Sequence, residues 1–336
     1  MQILIVDDSK MGRELLRIAL LKCGHSVQDV ETGEQALSAL RISHCRLVIS
    51  DWEMPGMSGL DLCRAIRAGE FPGYVYVILL TARERRDKMD AIVAGADDFM
   101  SKPFAPDDLA LRVRLAERTI AIHMREAVLF TLAQLIETRG PMNCMHTERI
   151  RCFARLLAQD LGANRCFEKD LDAEFIRNLF VAAPLHDIGN ATIPDSVLLK
   201  PGALSEAEFS IVKTHTLQGA RAVESAALAY PESTFFRVAH DIALTHHECY
   251  DGTGYPNGLK GDAIPLAGRI VAVADTYDSI TNCRNYRAAR SHAKACAMIR
   301  DEAGKRFDPR IVDAFNRRQV EILGIATRFK DSGGIP

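Results

Sequence analysis

The sequence predicts two domains of different class, an α/β doubly wound sheet of five parallel strands followed by an all-α helical domain. Three observations carry this. From Met1 to about Ala105, short apolar runs alternate with amphipathic segments, the rhythm of a parallel sheet with helices on both faces. Beyond Arg139 the strand-like runs stop, and apolar residues recur at helical spacing. The 336 residues also exceed one ordinary domain of ~100–200 residues.

Composition narrows the function classes. Apolar residues make up 48% and charged residues 26%, with a net charge of -2. There is no basic excess to hold a nucleic-acid backbone, so a nucleic-acid partner is disfavoured. The chain opens on the strand-like Gln2-Ile3-Leu4-Ile5-Val6 with no basic leader segment. No apolar run is read as approaching the ~20 residues a bilayer needs, and a cytoplasmic protein without membrane contact is expected. Nine scattered cysteines without a C-x-x-C pair fit a reducing compartment and argue against a thiolate metal site.

The strands of the first domain are expected over 3–6, 26–30, 47–50, 75–80 and 97–100. Sheets of this kind bind ligands at the carboxyl ends of their strands. Polar residues fall there in succession: Asp7 and Asp8 after the first strand, Asp51 after the third, Thr81 after the fourth and Lys102 after the fifth. Three carboxylates, a hydroxyl and an ammonium at one edge suit Mg²⁺ beside a phosphoryl-accepting group, because Mg²⁺ takes a few carboxylates together with phosphate and water oxygens. Any one of the five reads as a loop carboxylate or a cap; all of them at successive strand ends read as a site.

With the run Asp51-Trp52-Glu53-Met54-Pro55-Gly56-Met57-Ser58-Gly59, residues 1–120 resemble a response-regulator receiver domain. The resemblance implies that Asp51 accepts a phosphoryl group from a sensor histidine kinase and that Asp7, Asp8 and Asp51 hold Mg²⁺. It also implies that Thr81 and Lys102 contact the phosphoryl oxygens, that Ala82 leaves the approach open, that Phe99 is an aromatic switch, and that Lys102-Pro103 is cis.

A connecting helix is expected over 106–139. Pro106 suits a first helical turn and Asp107 and Asp108 suit its positive dipole end. Leu109, Val113, Ala116, Ile120, Met124 and Ala127 recur three or four apart, a stripe that either packs on the domains or joins two copies, and a homodimer is the expected state.

The second domain, over 125–330, is expected to hold helices near 147–162, 174–183, 205–228, 235–247, 268–281 and 291–304. Its chemistry centres on His186-Asp187, an imidazole and a carboxylate that suit borderline and harder divalent metals. A second such dipeptide, His240-Asp241, shows that the pair alone proves nothing. Ser205-Glu206-Ala207-Glu208 has the form of a capping box that starts the helix carrying His215. A single inward histidine is usually a satisfied core residue, so His215 needs company. His246-His247-Glu248 ends another helix, Asp275 lies in the apolar Ile270-Val271-Ala272-Val273-Ala274-Asp275, and His146 opens the domain. A carboxylate buried in so apolar a helix requires a partner or a metal. Seven candidates exceed the four of structural zinc and point to two catalytic ions.

These motifs, with Asp251-Gly252-Thr253-Gly254-Tyr255-Pro256, Gly258-Leu259-Lys260-Gly261, Ile264-Pro265-Leu266 and Asp278, resemble the HD-GYP domain, a branch of the HD-type metal-dependent phosphohydrolases. The resemblance implies hydrolysis of cyclic di-GMP to linear pGpG, with GMP a further product. It implies two divalent metals, Fe or Mn favoured, held by His146, His186, Asp187, His215, His246, His247 and Asp275, with Asp187 as bridge. It implies Arg284 and Arg287, flanking Tyr286, as phosphate-gripping residues. His240-Asp241 falls outside the pattern.

Two positions depart from it. Met142 stands where members with a third metal carry a glutamate, so two metals are expected. Asn190 replaces a lysine close to the scissile phosphate, removing a charge worth about 10²–10³ in rate at such a place. The alternatives are a catalytically weak or inactive module that binds cyclic di-GMP or a diguanylate-cyclase partner through Gly254, Tyr255 and Pro256, and a phosphodiesterase for another cyclic dinucleotide such as cyclic GMP-AMP.

Overall fold

The computed structural model describes residues 1–43, 45–69, 71, 73–81, 88–137, 145–167, 171–282 and 289–330. The chain divides into two compact units, Met1–Val128 and Leu129–Pro336.

The first unit runs β1 (Gln2–Val6), α1 (Lys10–Lys22), β2 (Ser26–Val30), α2 (Gly33–Ile42), β3 (Leu47–Asp51), α3 (Gly59–Ala68), β4 (Tyr76–Thr81), α4 (Lys88–Val93) and β5 (Asp98–Ser101), and then enters α5 (Pro106–Glu137). The strands pair in parallel in the order β2-β1-β3-β4-β5. Side chains alternate across a strand. Ile3 and Ile5 therefore enter one core with Leu16, Leu20 and Val113, while Leu4 and Val6 enter the other with Ala36, Leu62 and Val77. The sheet is covered on both faces as the sequence predicts. The last strand begins one residue later than expected, because the Asp97 carboxylate accepts the Val77 N–H at 2.7 Å and so caps the strand start.

The apolar stripe of α5 is corrected in extent. Leu109, Val113, Ala116 and Ile120 are buried in the sheet's core, but Met124 is 65% exposed. The eleven steps from Leu109 to Ile120 span about 16 Å of helix, close to the length of a five-residue strand, so the sheet covers that row and no more. The helix also carries the one described segment long and apolar enough by composition to cross a bilayer, longer than the sequence reading allowed. Arg125 and Glu126 fall inside it.

The second unit is helical: α6 (His146–Ala163), α7 (Ala173–Ala182), α8 (Asp195–Leu198), α9 (Glu206–Ala229), α10 (Thr234–Thr245), α11 (Leu266–Thr281), α12 (His292–Asp301), α13 (Pro309–Arg317) and α14 (Gln319–Arg328). Its core gathers Phe153, Leu157, Leu179, Ile242, Val273 and Phe315 around α11, which is buried along most of its length. Helices α13 and α14 were not anticipated. Asp308 caps α13 by accepting the Arg310 N–H at 2.9 Å, with Pro309 in the first turn.

Candidate phosphoryl-acceptor site and metal centre

Each polar residue expected at the carboxyl edge of the sheet is found there. Lys102 Nζ lies 2.8 Å from Asp7 Oδ2 and 2.9 Å from Asp51 Oδ2. Oxygens of Asp7, Asp8 and Asp51 fall within 4.8 Å of one another, close enough for one Mg²⁺. Asp7 and Thr81 are buried, whereas Asp51 keeps partial access to solvent. Burial pushes the Asp51 carboxyl up, against the bond and charge of Lys102. Burial works against the Lys102 charge too, but its bonds to Asp7 and Asp51 outweigh that and raise its pKa. Lys102-Pro103 is cis as expected, and Phe99 lies on β5. Ala82 lies outside the described residues.

In the second unit, every expected ligand that can be traced converges on one centre. His146 opens α6, His215 lies midway along α9, His246 caps the end of α10 with His247 beside it, and Asp275 lies on α11. His186 and Asp187 sit between the 3₁₀ turns Ala183–Leu185 and Ile188–Thr192. Gly189 allows this last approach, since a Cβ there would lie 1.9 Å from the His215 carbonyl oxygen.

Two ligand clusters result, each with its donor atoms within 4.8 Å of one another: Asp187, His215, His246 and His247 in one, Glu137, His146 and His186 in the other. Asp187 reaches both. Its Oδ1 is 3.2 Å from His215 Nε2 and 3.5 Å from His246 Nε2, and its Oδ2 is 3.7 Å from His186 Nε2. Asp275 Oδ1 lies 3.8 Å from His146 Nε2.

The imidazoles are pre-oriented. His186, His215 and His246 each donate Nδ1–H to a backbone carbonyl, of Ala183 at 3.0 Å, Val212 at 2.6 Å and Ile242 at 2.9 Å. His146 Nδ1 bonds the Asp278 carboxylate at 2.6 Å, and Arg149 fastens that carboxylate in turn with Nη2 at 3.0 Å. Each ring then presents Nε2 to the centre, the arrangement that outer partners give metal-ligating histidines. His146 Nε2, His186 Nε2 and both Glu137 carboxylate oxygens are buried without a hydrogen-bond partner among the described residues. Orphaned groups of this kind are costly unless a ligand takes them up, so the donor set fits divalent metal.

Electrostatics divide the rings: against burial, Asp278 raises His146 and Asp187 raises His215. Burial pushes His186 down to about 4 and holds His247 well below the usual imidazole range, leaving both rings neutral as ligands. Burial would lift Asp187, yet His186 and the bonds from His215 and His246 pull it well below the usual carboxylate range. Glu137 goes the other way: burial, with Asp187, Asp278 and Asp275 nearby, pushes it up to about 8 against His146.

The sequence reading missed Glu137, Arg149 and Arg306. Arg306 lines a cavity of about 510 Å³ beside His247 and Asp275, with Ser279, Met298 and Phe307. His240 and Asp241 pair with each other at 3.6 Å, and neither joins a metal-ligating cluster among the described residues. Asn190 donates its backbone N–H to the Asp187 carbonyl at 2.9 Å. Met142, Arg284, Tyr286 and Arg287 lie outside the described residues. The loop with Gly254, Tyr255 and Pro256 folds over the centre. Glu248 accepts the Asn257 and Leu259 N–H groups at 2.8 and 3.0 Å, and the Tyr255 ring lies 4.9 Å from that of His247.

A sheet with an acidic, lysine-bridged edge, joined to a helical unit with a histidine–aspartate metal centre, defines a response regulator with an enzyme-type output domain. Comparison with known proteins agrees. Residues 3–114 match the response regulator receiver domain family and residues 131–311 the HD domain family. A probable cyclic di-GMP phosphodiesterase of Vibrio cholerae is 35% identical over 98% of this chain and 80% of its own length. The cyclic di-GMP phosphodiesterase response regulator RpfG of Xanthomonas campestris is 34% identical over 100% of this chain and 92% of its own. A 3'3'-cGAMP-specific phosphodiesterase of Vibrio cholerae is 32% identical over 63% of this chain and 39% of its own length. The chain belongs to the family of response regulators whose output is an HD-GYP-type HD domain.

Proposed function

We propose that this chain hydrolyses cyclic di-GMP to linear pGpG, with GMP as a further product, under the control of phosphorylation at Asp51 by a sensor histidine kinase. The observation that carries the reading is the convergence of His146, His186, Asp187, His215, His246, His247 and Asp275, with the buried Nε2 atoms of His146 and His186 lacking a hydrogen-bond partner among the described residues. Similarity to the cyclic di-GMP enzymes over nearly the whole chain supports the substrate.

Two bound divalent ions, Fe or Mn by preference, would supply a nucleophile at neutral pH and Lewis-acid stabilisation of phosphate charge. The backbone carbonyls of Ala183, Val212 and Ile242 fix the ring orientations of His186, His215 and His246. Asp187 is the proposed bridge and stays ionised among three imidazoles. The cavity beside His247 would admit the dinucleotide, with Arg306 facing its negative charge and Arg284 and Arg287 gripping phosphate oxygens. Asn190 puts a neutral group where a lysine is expected, which slows turnover. In the receiver, Asp51 accepts the phosphoryl group beside Mg²⁺, and Thr81 and Lys102 hold its oxygens. A homodimer through the exposed Leu111, Leu115 and Ile122, which share one face of α5, completes the reading.

The test uses protein purified without oxygen and loaded with Fe(II) or Mn(II), assayed on cyclic di-GMP with cyclic GMP-AMP in competition. We expect about two ions per chain and pGpG release. Asp187→Ala should lower the rate by more than the ~10²-fold that loss of an outer metal partner costs. Asp51→Asn should abolish phosphoryl uptake from a small-molecule donor while leaving basal hydrolysis measurable. Full metal loading without turnover on either substrate would sink the enzyme reading in favour of a binding module. Preferential cleavage of cyclic GMP-AMP would reassign the substrate.

A further inference from the structure

We propose that Glu137, the last residue of α5, is a metal ligand of the same ion as His146 and His186. This rests on the two-metal reading above and adds an eighth protein ligand to it.

The argument is one of lone pairs. His186 donates its Nδ1–H to the Ala183 carbonyl, so in the neutral ring Nε2 carries a lone pair. His146 Nδ1 bonds a carboxylate that Arg149 also holds, which turns its Nε2 toward the same space. Glu137 Oε1 faces that Nε2 at 3.9 Å, beyond hydrogen-bond range. The carboxylate is 7% exposed, and neither of its oxygens has a hydrogen-bond partner among the described residues. Three lone-pair donors from α5, α6 and the His186 turn therefore share one enclosed space, with ligand atoms within 4.8 Å of one another. Lone pairs facing one another in a buried space are costly unless a proton or a cation takes them up, and three donors from three elements within 4.8 Å of one another suit an ion.

The ion count stays at two. The other cluster already brings four groups, Asp187, His215, His246 and His247. The His146–His186 ion has two imidazoles against three at the other, and Glu137 joins Asp187 Oδ2 and Asp275 Oδ1 as its third carboxylate. An outer role for Glu137 would need a hydrogen bond to a ligand's N–H, and among the described residues no imidazole nitrogen lies within hydrogen-bond distance of it.

The test is Glu137→Gln, which keeps the shape and removes the charge, in the full chain. Mn(II) binding is followed by the paramagnetic resonance of the free ion, and thermal unfolding is recorded with and without metal. The wild type should bind two ions, and the variant should bind the second at least about 10-fold more weakly. In the metal-free state the variant should melt at or above the wild type, because its amide replaces an uncompensated buried carboxyl; with metal it should melt below. Lower melting in both states, or unchanged affinity for both ions, would overturn the proposal and leave the two-metal reading standing. A wild type that binds no ion would overturn both.

Discussion

At the scale of single residues, Gly189 is where the centre has least slack. A Cβ there would sit 1.9 Å from the His215 carbonyl oxygen and 2.7 Å from the Gly219 amide nitrogen, both backbone atoms that cannot swing aside. Gly189→Ala should therefore cost toward the upper end of the ~1–3 kcal/mol of overpacking and lower metal content by displacing His215. Gly219→Ala, whose Cβ would lie 3.3 Å from its nearest neighbours, should cost much less; melting curves and metal analysis of the two variants check this. The single-residue pattern also marks where sequence reading stops. His186-Asp187 and His246-His247 are legible because the ligands are adjacent in the chain. Glu137 is not: its only signal is burial without a partner, and the histidines it faces arrive from other elements. The pairing of Arg149 with Asp278 across 129 positions is equally silent in sequence.

At the scale of elements, α9 carries His215 into place and its start is fixed by local chemistry. Ser205 Oγ accepts the Glu208 N–H at 3.3 Å, Glu208 Oε2 accepts the Ser205 N–H at 2.7 Å, and Lys200 Nζ adds a contact to Glu208 at 2.7 Å. Ser205→Ala should cost about 1 kcal/mol, which lowers the melting temperature of a unit this size by ~2–4 °C. Metal stoichiometry should not change, because His215 lies ten residues further on and is held from within the helix by the Val212 carbonyl. Apolar residues at helical spacing made most of the helices readable, and a capping signal of this kind marked the start of this one. The strands were readable because side chains alternate between two cores, and their carboxyl ends fell where Asp7, Asp51, Thr81 and Lys102 stand. Helices α13 and α14 escaped because each is short and Asp308-Pro309 is a faint start signal by itself.

At the scale of the whole molecule, two units with separate cores imply two unfolding events that metal distinguishes. Trp52 is the one tryptophan of the chain and is buried in the first unit, so its fluorescence reports that unit alone. Ions at about 100 times their dissociation constant stabilise by about 2.7 kcal/mol. Adding Mn(II) to metal-free protein should therefore raise the helical unit's transition, followed by far-ultraviolet dichroism, by ~5–10 °C. The Trp52 transition should move far less, because among the described residues the first unit offers an ion three carboxylates and no imidazole cluster. Helix α5 gives these two events something in common. Its Leu109, Val113, Ala116 and Ile120 belong to the sheet's core, and its final residue is the metal-facing Glu137. One residue of axial slip in a helix is 1.5 Å, enough to break a coordinate bond of about 2 Å. Were phosphorylation to shift the helix, ion affinity and the free energy of the phosphorylated state would be reciprocal quantities. With Glu137 as a ligand, the scarcity or abundance of a trace metal in the cell would be a second input to the switch, entering from the output end.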